Sequence, residues 1–171
     1  MRKIALALVL VALAVGLAGL PSAQAREANA AHLYLLEKNP ADWTAVPGGA
    51  WGKMRYRPEA KFFDFVFNGH KLEARTNYTL LYYPDPWPGS GLICLGTGMA
   101  DDWGNVHVMG KITTGDLPAA FDANATIPAP GAKIWLVRSA DVDCTGTTMV
   151  GWNPTEYLFE KNLITYEAEA R

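Results

Sequence analysis

Cysteine is scarce in this 171-residue chain, which has two. That rules out a zinc ribbon and a cysteine-dense scaffold. Charge of one sign is not in excess either. Lys and Arg number 15 against 17 Asp and Glu, for a net charge of -2 and a pI near 5.9. Nothing in that balance makes a basic footprint for nucleic acid or for an anionic lipid surface. No P-loop, dinucleotide fingerprint, HExxH or GxSxG motif occurs, so the chemistries those motifs carry have no anchor here. Beyond residue 25 the only serines are Ser90 and Ser139, neither in a nucleophile-elbow context. His32, His70 and His107 stand far apart, without the close pair that zinc sites usually show. Long amphipathic helices are missing as well.

A leader is present. Arg2 and Lys3 precede an unbroken apolar run from Ile4 to Leu20; Pro21 ends the run, and Ala23-Gln24-Ala25 is a small-x-small cleavage site. The pattern is that of a secretory signal peptide over residues 1–25. An uncleaved anchor is the rival reading, because the run reaches the lower edge of spanning length. Cleavage removes two basic residues and no acid, taking the net charge from -2 to -4. Residues 26–171 contain no second run of spanning length, so no membrane span is expected there. The expected location is secreted, extracellular or periplasmic. In an oxidising compartment Cys94 and Cys144 read as a disulfide. Closing that loop is worth roughly 4 kcal/mol in the chain-entropy model.

Half the residues are hydrophobic and 19% are charged, which favours a packed globule over disorder. Ala31 to Lys38 is apolar on both faces and suits a buried strand. Gly49 to Arg57 alternates, with Met54 and Tyr56 on one side. In KFFDFVFN (61–68), Phe63, Phe65 and Phe67 line one face, a pattern that fits a pleated sheet better than a helix. Asn68-Gly69 carries the strongest tight-turn signal in the chain. Further strands are expected at 77–83, 91–97, 105–113, 132–137 and 162–167. Pro84 to Gly89 reads as a stiff loop, 116–131 as a long loop, and Asn153-Pro154 as the start of a short helical turn near 154–158. Short strands with turn signals between them predict an all-β fold. The expected form is a single antiparallel β-sandwich over 26–171, immunoglobulin-like in the broad sense, with a closed barrel as the alternative.

The chain is rich in aromatics, with six Trp, seven Tyr and six Phe. Trp51, Trp87, Trp103 and Trp152 sit beside Gly, Pro or Asn, near strand ends. Exposed indoles and phenols stack on sugar rings or anchor protein partners. Trp87, Trp103 and Tyr83 are therefore the candidate binding residues, for a glycan or a cell-surface protein. Asp141, Asp143 and Thr145 resemble the first half of a calcium loop, with Gly146 in the sixth position; the bidentate Glu is missing, since Trp152 stands in its place. Asp64, Glu156 and Glu160 are candidates for a glycosidase carboxylate pair. Asn77 and Asn124 begin glycosylation sequons.

GGAWGKMRY (48–56), FVFNGHKL (65–72), YTLLYYPDPWPGSGLICLG (78–96), GAKIWLV (131–137) and GWNPTEYLFE (151–160) resemble parts of a family of small exported hypothetical proteins of prokaryotes. The resemblance implies export and a single domain, and implies no activity or cofactor. YTLLYY is also similar to strands of immunoglobulin-like domains. Together these readings describe a secreted, non-catalytic binding or surface-associated module. An extracellular glycan hydrolase and a calcium-stabilised domain are the alternatives.

Overall fold

A computed structural model describes residues 29–118 and 131–169. The leader (1–25), the Asn124 sequon and most of the 116–131 loop lie outside them. Twelve strands form: β1 (Ala31–Leu36), β2 (Trp51–Tyr56), β3 (Glu59–Ala60), β4 (Phe63–His70), β5 (Asn77–Tyr83), β6 (Ile93–Met99), β7 (Val106–Ile112), β8 (Lys133–Arg138), β9 (Val142–Asp143), β10 (Thr148–Met149), β11 (Leu158–Glu160) and β12 (Glu167–Ala168). Two short 3-10 turns, Ser139–Asp141 and Pro154–Glu156, are the only helical elements among the described residues. No described helix is long and apolar enough to cross a membrane.

Eight strands make one sheet in the order β6-β5-β8-β11-β1-β2-β4-β7, every neighbouring pair antiparallel. The all-β antiparallel expectation holds. The sheet curls until its two edges, β6 and β7, face each other, and glycines make that approach possible. A Cβ on Gly98 would lie 2.8 Å from the His107 carbonyl oxygen, and one on Gly110 would lie 3.2 Å from that of Leu95. The result is close to a closed barrel, and eight strands leave an interior just wide enough for side chains to fill.

Alternation fills it. Leu33, Leu35, Met54, Phe63, Phe65, Phe67, Leu80 and Leu136 are all at or below 2% exposure in one cluster. The C-terminal segment crosses one end of the barrel. Leu117 bridges Tyr166, Ala132 bridges Ile164, and β12 pairs in parallel with β3. The buried Tyr166 hydroxyl donates to the Ala60 carbonyl at 2.6 Å.

Three local expectations fail. Asn68-Gly69 does not turn. It lies within β4, opposite Lys53 and Gly52, because the apolar alternation of Phe63, Phe65 and Phe67 continues the strand to the site where Gly52 and Gly69 meet. β1 is buried on one face only, with Tyr34 41% exposed. Leu158, expected to end the helical turn near 154–158, instead opens the central strand Leu158–Glu160 between β8 and β1. Helix signals at Asn153 and Pro154 yield a single 3-10 turn, after which burial of Leu158 in the barrel takes over.

Candidate functional site

Alternation along β5 and β8 puts Tyr78, Leu80, Tyr82, Ile134 and Leu136 inside the barrel. It should leave Leu81, Tyr83, Trp135 and Val137 on the outside, in water. All four are nonetheless buried, in a second cluster with Leu92, Met149, Tyr157 and Phe159. An outer layer covers them, built from residues 84–92 and 139–157.

That layer is pinned in several ways. Cys94 and Cys144 form a disulfide, joining β6 to the β9–β10 hairpin. The Gly91 N–H donates to the Thr147 carbonyl and the Met149 N–H to the Pro88 carbonyl, both at 2.9 Å. Within the proline-rich loop the Asp85-Pro86 and Trp87-Pro88 bonds are cis.

Between the outer layer and the 39–46 loop lies a cleft of about 700 Å³, within the usual size range of small-molecule sites. Its floor is aromatic. Trp135 stacks on Tyr83 at 3.8 Å and 11°, and meets Phe159 edge-on at 5.1 Å. Trp135 is 8% exposed and the other two are nearly sealed, whereas Trp43, Trp87 and Trp152 are 43–50% exposed. These last three are open to solvent along the cleft. Trp43 packs edge-on against Phe159 at 5.1 Å, and Trp87 against Trp152 at 5.3 Å. Trp43 is held at φ 58°, in the left-handed region that a bulky residue avoids. Its amide donates to the Asn39 carbonyl at 2.7 Å, and the Asp42 carboxylate caps the amide of Thr44 at 3.0 Å. Such strain costs on the order of 1–3 kcal/mol and persists only where surrounding structure imposes it.

One end of the cleft is polar. Lys133 is salt-bridged to Asp85, and Lys38 and Glu160 complete the lining. Burial holds the Lys133 ammonium below its ordinary pKa, with Glu160 opposing the shift. Burial likewise pushes the Glu160 carboxyl up, against its own backbone amide, the charges of Lys38 and Lys133, and a hydrogen bond from the Trp135 indole. The Trp135 indole N–H is turned toward the Glu160 carboxylate, although the contact falls short of ideal hydrogen-bond geometry.

Of the residues expected to bind, Tyr83 and Trp87 meet in this cleft. Trp103 does not. It sits 85% exposed on the turn between β6 and β7, at the opposite end of β6 from the 84–92 loop. Trp43, Trp135, Lys38, Asp85 and Lys133 were not singled out as site residues. Trp135 in particular reads as ordinary core within an apolar strand, and its neighbours come from distant parts of the chain.

The calcium-loop residues do other work. Asp143 Oδ1 accepts from the amides of Thr145 and Gly146, both at 2.9 Å. Asp141 Oδ2 accepts from the Tyr157 hydroxyl at 2.7 Å and from Asn153 Nδ2 at 2.9 Å. The Asp141 carbonyl accepts from Val150 and Gly151. Asp141 thereby anchors the turn that presents Trp152. Among the described residues no group of three or more His, Cys, Asp or Glu is placed to hold a metal ion. Of the other carboxylates, Asp64 pairs with Arg57 at 2.6 Å and Glu156 with Arg138 at 2.5 Å, both away from the cleft.

The anchor yields a prediction. Tyr157→Phe keeps the ring and removes the hydroxyl that donates to Asp141. Loss of a hydrogen bond to a charged group should cost roughly 1.5–3 kcal/mol in thermal or denaturant unfolding. The phenol is raised above the ordinary tyrosine range, first by burial and then by its bond to Asp141. Its contribution is therefore complete below that range and is lost as pH climbs through it, because the unfolded phenol ionises first. The gap between wild type and variant should narrow in alkali. A constant gap would assign the loss to packing alone.

Comparison with protein-family models, with curated proteins and with solved structures returns no match.

Proposed function

We propose that this chain is an exported, non-catalytic module that binds a glycan in the aromatic cleft. One observation carries the reading: Trp43, Trp87, Trp135 and Trp152, from four separate segments, line a single cleft that also holds charged groups at one end. A pyranose ring has a C–H face that packs on indoles and a rim of hydroxyls that needs polar partners, so the lining suits both parts. The apolar leader sequence and the disulfide support export.

The test is a titration of purified protein with a panel of polysaccharides, followed by tryptophan emission, together with pull-down from envelope fractions. Trp87 is half exposed, so Trp87→Ala should fold normally. It should weaken binding about thirty-fold, the effect of a hot-spot loss near 2 kcal/mol. No glycan response, with one envelope protein captured by wild type and not by the variant, would replace the glycan with a protein partner.

A second reading has its own support. Asp85 and Glu160 line the same cleft, and paired carboxylates are the machinery of glycoside hydrolysis. Release of reducing ends from a bound oligosaccharide, abolished by Glu160→Gln, would make the module a hydrolase.

A further inference from the structure

We propose that the outer face of β1, β2, β4 and β7, together with the turn that carries Trp103, docks the protein onto an anionic lipid surface. None of the side chains involved lines the aromatic cleft, so the inference stands apart from the glycan reading.

The whole-chain charge balance gives no such footprint, but folding sorts the charges. Strand alternation sends His32 and Tyr34 of β1 outward, opposite Arg55 and Lys53 of β2. Lys53 in turn faces Asn68 of β4, and Asn68 faces His107 of β7. Lys111 ends the outward row of β7, opposite Asp64. Asp64 is the one acid at an outward position of these four strands, and Arg57 holds it at 2.6 Å. Lys53, Arg55 and Lys111 therefore make this face positive on a chain that is negative overall.

Apolar side chains stand among those cations. Trp43, Trp87 and Trp152 line the cleft, and Val150 belongs to the outer layer. The other exposed large hydrophobics among the described residues are Tyr34, Trp51, Met99, Trp103 and Met109. Each lies on this face or at its border. Tyr34, Trp51 and Met109 point outward from β1, β2 and β7. The Trp51 ring lies 4.7 Å from that of His70, whose Nδ1 is 2.9 Å from the Asn105 Oδ1. That contact ties the face to the β6–β7 turn. Trp103 is 85% exposed on the turn and shares a shallow depression with Met99. The two acids of the turn are occupied. Asp101 Oδ1 accepts from the amides of Trp103 and Asn105, and Asp102 pairs with Arg75 at 2.6 Å.

The mixture selects the partner. A nucleic acid or an acidic glycan would pair with the cations and leave Met99 and Met109 in water. The headgroup region of an anionic bilayer takes both kinds of side chain. Aromatic rings settle at its boundary with the acyl chains, while Lys and Arg reach its phosphates. Here ring and cation are already side by side: Lys53 lies 5.6 Å from the Tyr34 ring centre, and Lys111 lies 5.0 Å from that of Phe62.

The experiment uses protein recovered after export, free of detergent. Its probes are vesicles of phosphatidylcholine alone and of phosphatidylcholine mixed with phosphatidylglycerol. Cosedimentation and tryptophan emission read the binding. Mixed vesicles should bind about a hundred-fold more tightly than neutral ones, because each of three basic residues contributes about five-fold near an anionic surface. That preference should collapse at about 1 M salt, where charges are screened within about 3 Å. The double change Lys53→Gln and Lys111→Gln should weaken binding to mixed vesicles about thirty-fold, and Trp103→Ala about ten-fold, with wild-type melting in each case. Equal binding of neutral and mixed vesicles, or unchanged affinity in either variant, would overturn the inference. Tighter binding of a DNA oligonucleotide or of hexagalacturonate than of mixed vesicles would overturn it too, replacing the lipid with a linear polyanion. Absence of vesicle binding would sink this inference and leave the glycan titration to stand or fall by itself.

Discussion

Removing the Cys94–Cys144 bridge, by the double change Cys94→Ala and Cys144→Ala, is expected to lower the unfolding free energy by about 4 kcal/mol. The two positions are 50 residues apart, and the estimate is the chain entropy regained by so long a loop when unfolded. For a domain of this size it corresponds to a melting temperature lower by roughly 12 °C. Guanidinium unfolding of the oxidised protein and the variant measures it directly. The cleft should suffer as well. The outer layer has no ladder of its own with the barrel strands. It hangs on the disulfide, on backbone bonds such as Gly91 to Thr147 and Met149 to Pro88, and on the Asp141 anchor. Without the bridge, the β9–β10 hairpin loses its covalent tie to β6, and the outer layer should loosen while the barrel stays folded. Trp87 and Trp152 emission should then change at denaturant concentrations well below the main transition. A stability loss under about 1 kcal/mol, with one cooperative transition for every probe, would mean that the layer is held by packing alone.

Trp135→Ala is the second large effect. Its ring lies between the barrel and the outer layer, stacked on Tyr83 and edge-on to Phe159, with Trp152 at 6.1 Å. Truncation leaves a cavity that three aromatic neighbours cannot collapse into without leaving their own positions. Large-to-small changes of this kind cost about 3–5 kcal/mol. Ligand binding should disappear too, since the cleft loses its floor. Denaturant unfolding with a loss below about 1 kcal/mol for the alanine variant would show that the outer layer does not pack on this ring.

Much of the fold could be read from local pattern. Phe63, Phe65 and Phe67 on one face of an eight-residue strand have no helical alternative, and the Met54–Tyr56 alternation is equally plain. The bridge followed from an even cysteine pair behind an apolar leader. Tyr83 and Trp87 were legible as binding candidates because prolines surround the loop that begins beside Tyr83. Leu158–Glu160 was not, since three residues are too short to show a period and Asn153-Pro154 just before them signals a helix start. Asn68-Gly69 misled because turn propensity is weak where a neighbouring strand already pairs with both residues.

What the chain determines by itself is the period of its side chains, and through it the pleated class of the fold. Tertiary structure decided which strands became neighbours. The order β5-β8-β11-β1 carries Tyr83, Trp135, Phe159 and the loop bearing Trp43 to one place, although they are scattered along the sequence. Nothing local encodes that meeting. It is set by the closing of the sheet and by the burial of a second apolar face, both of which are properties of the whole chain.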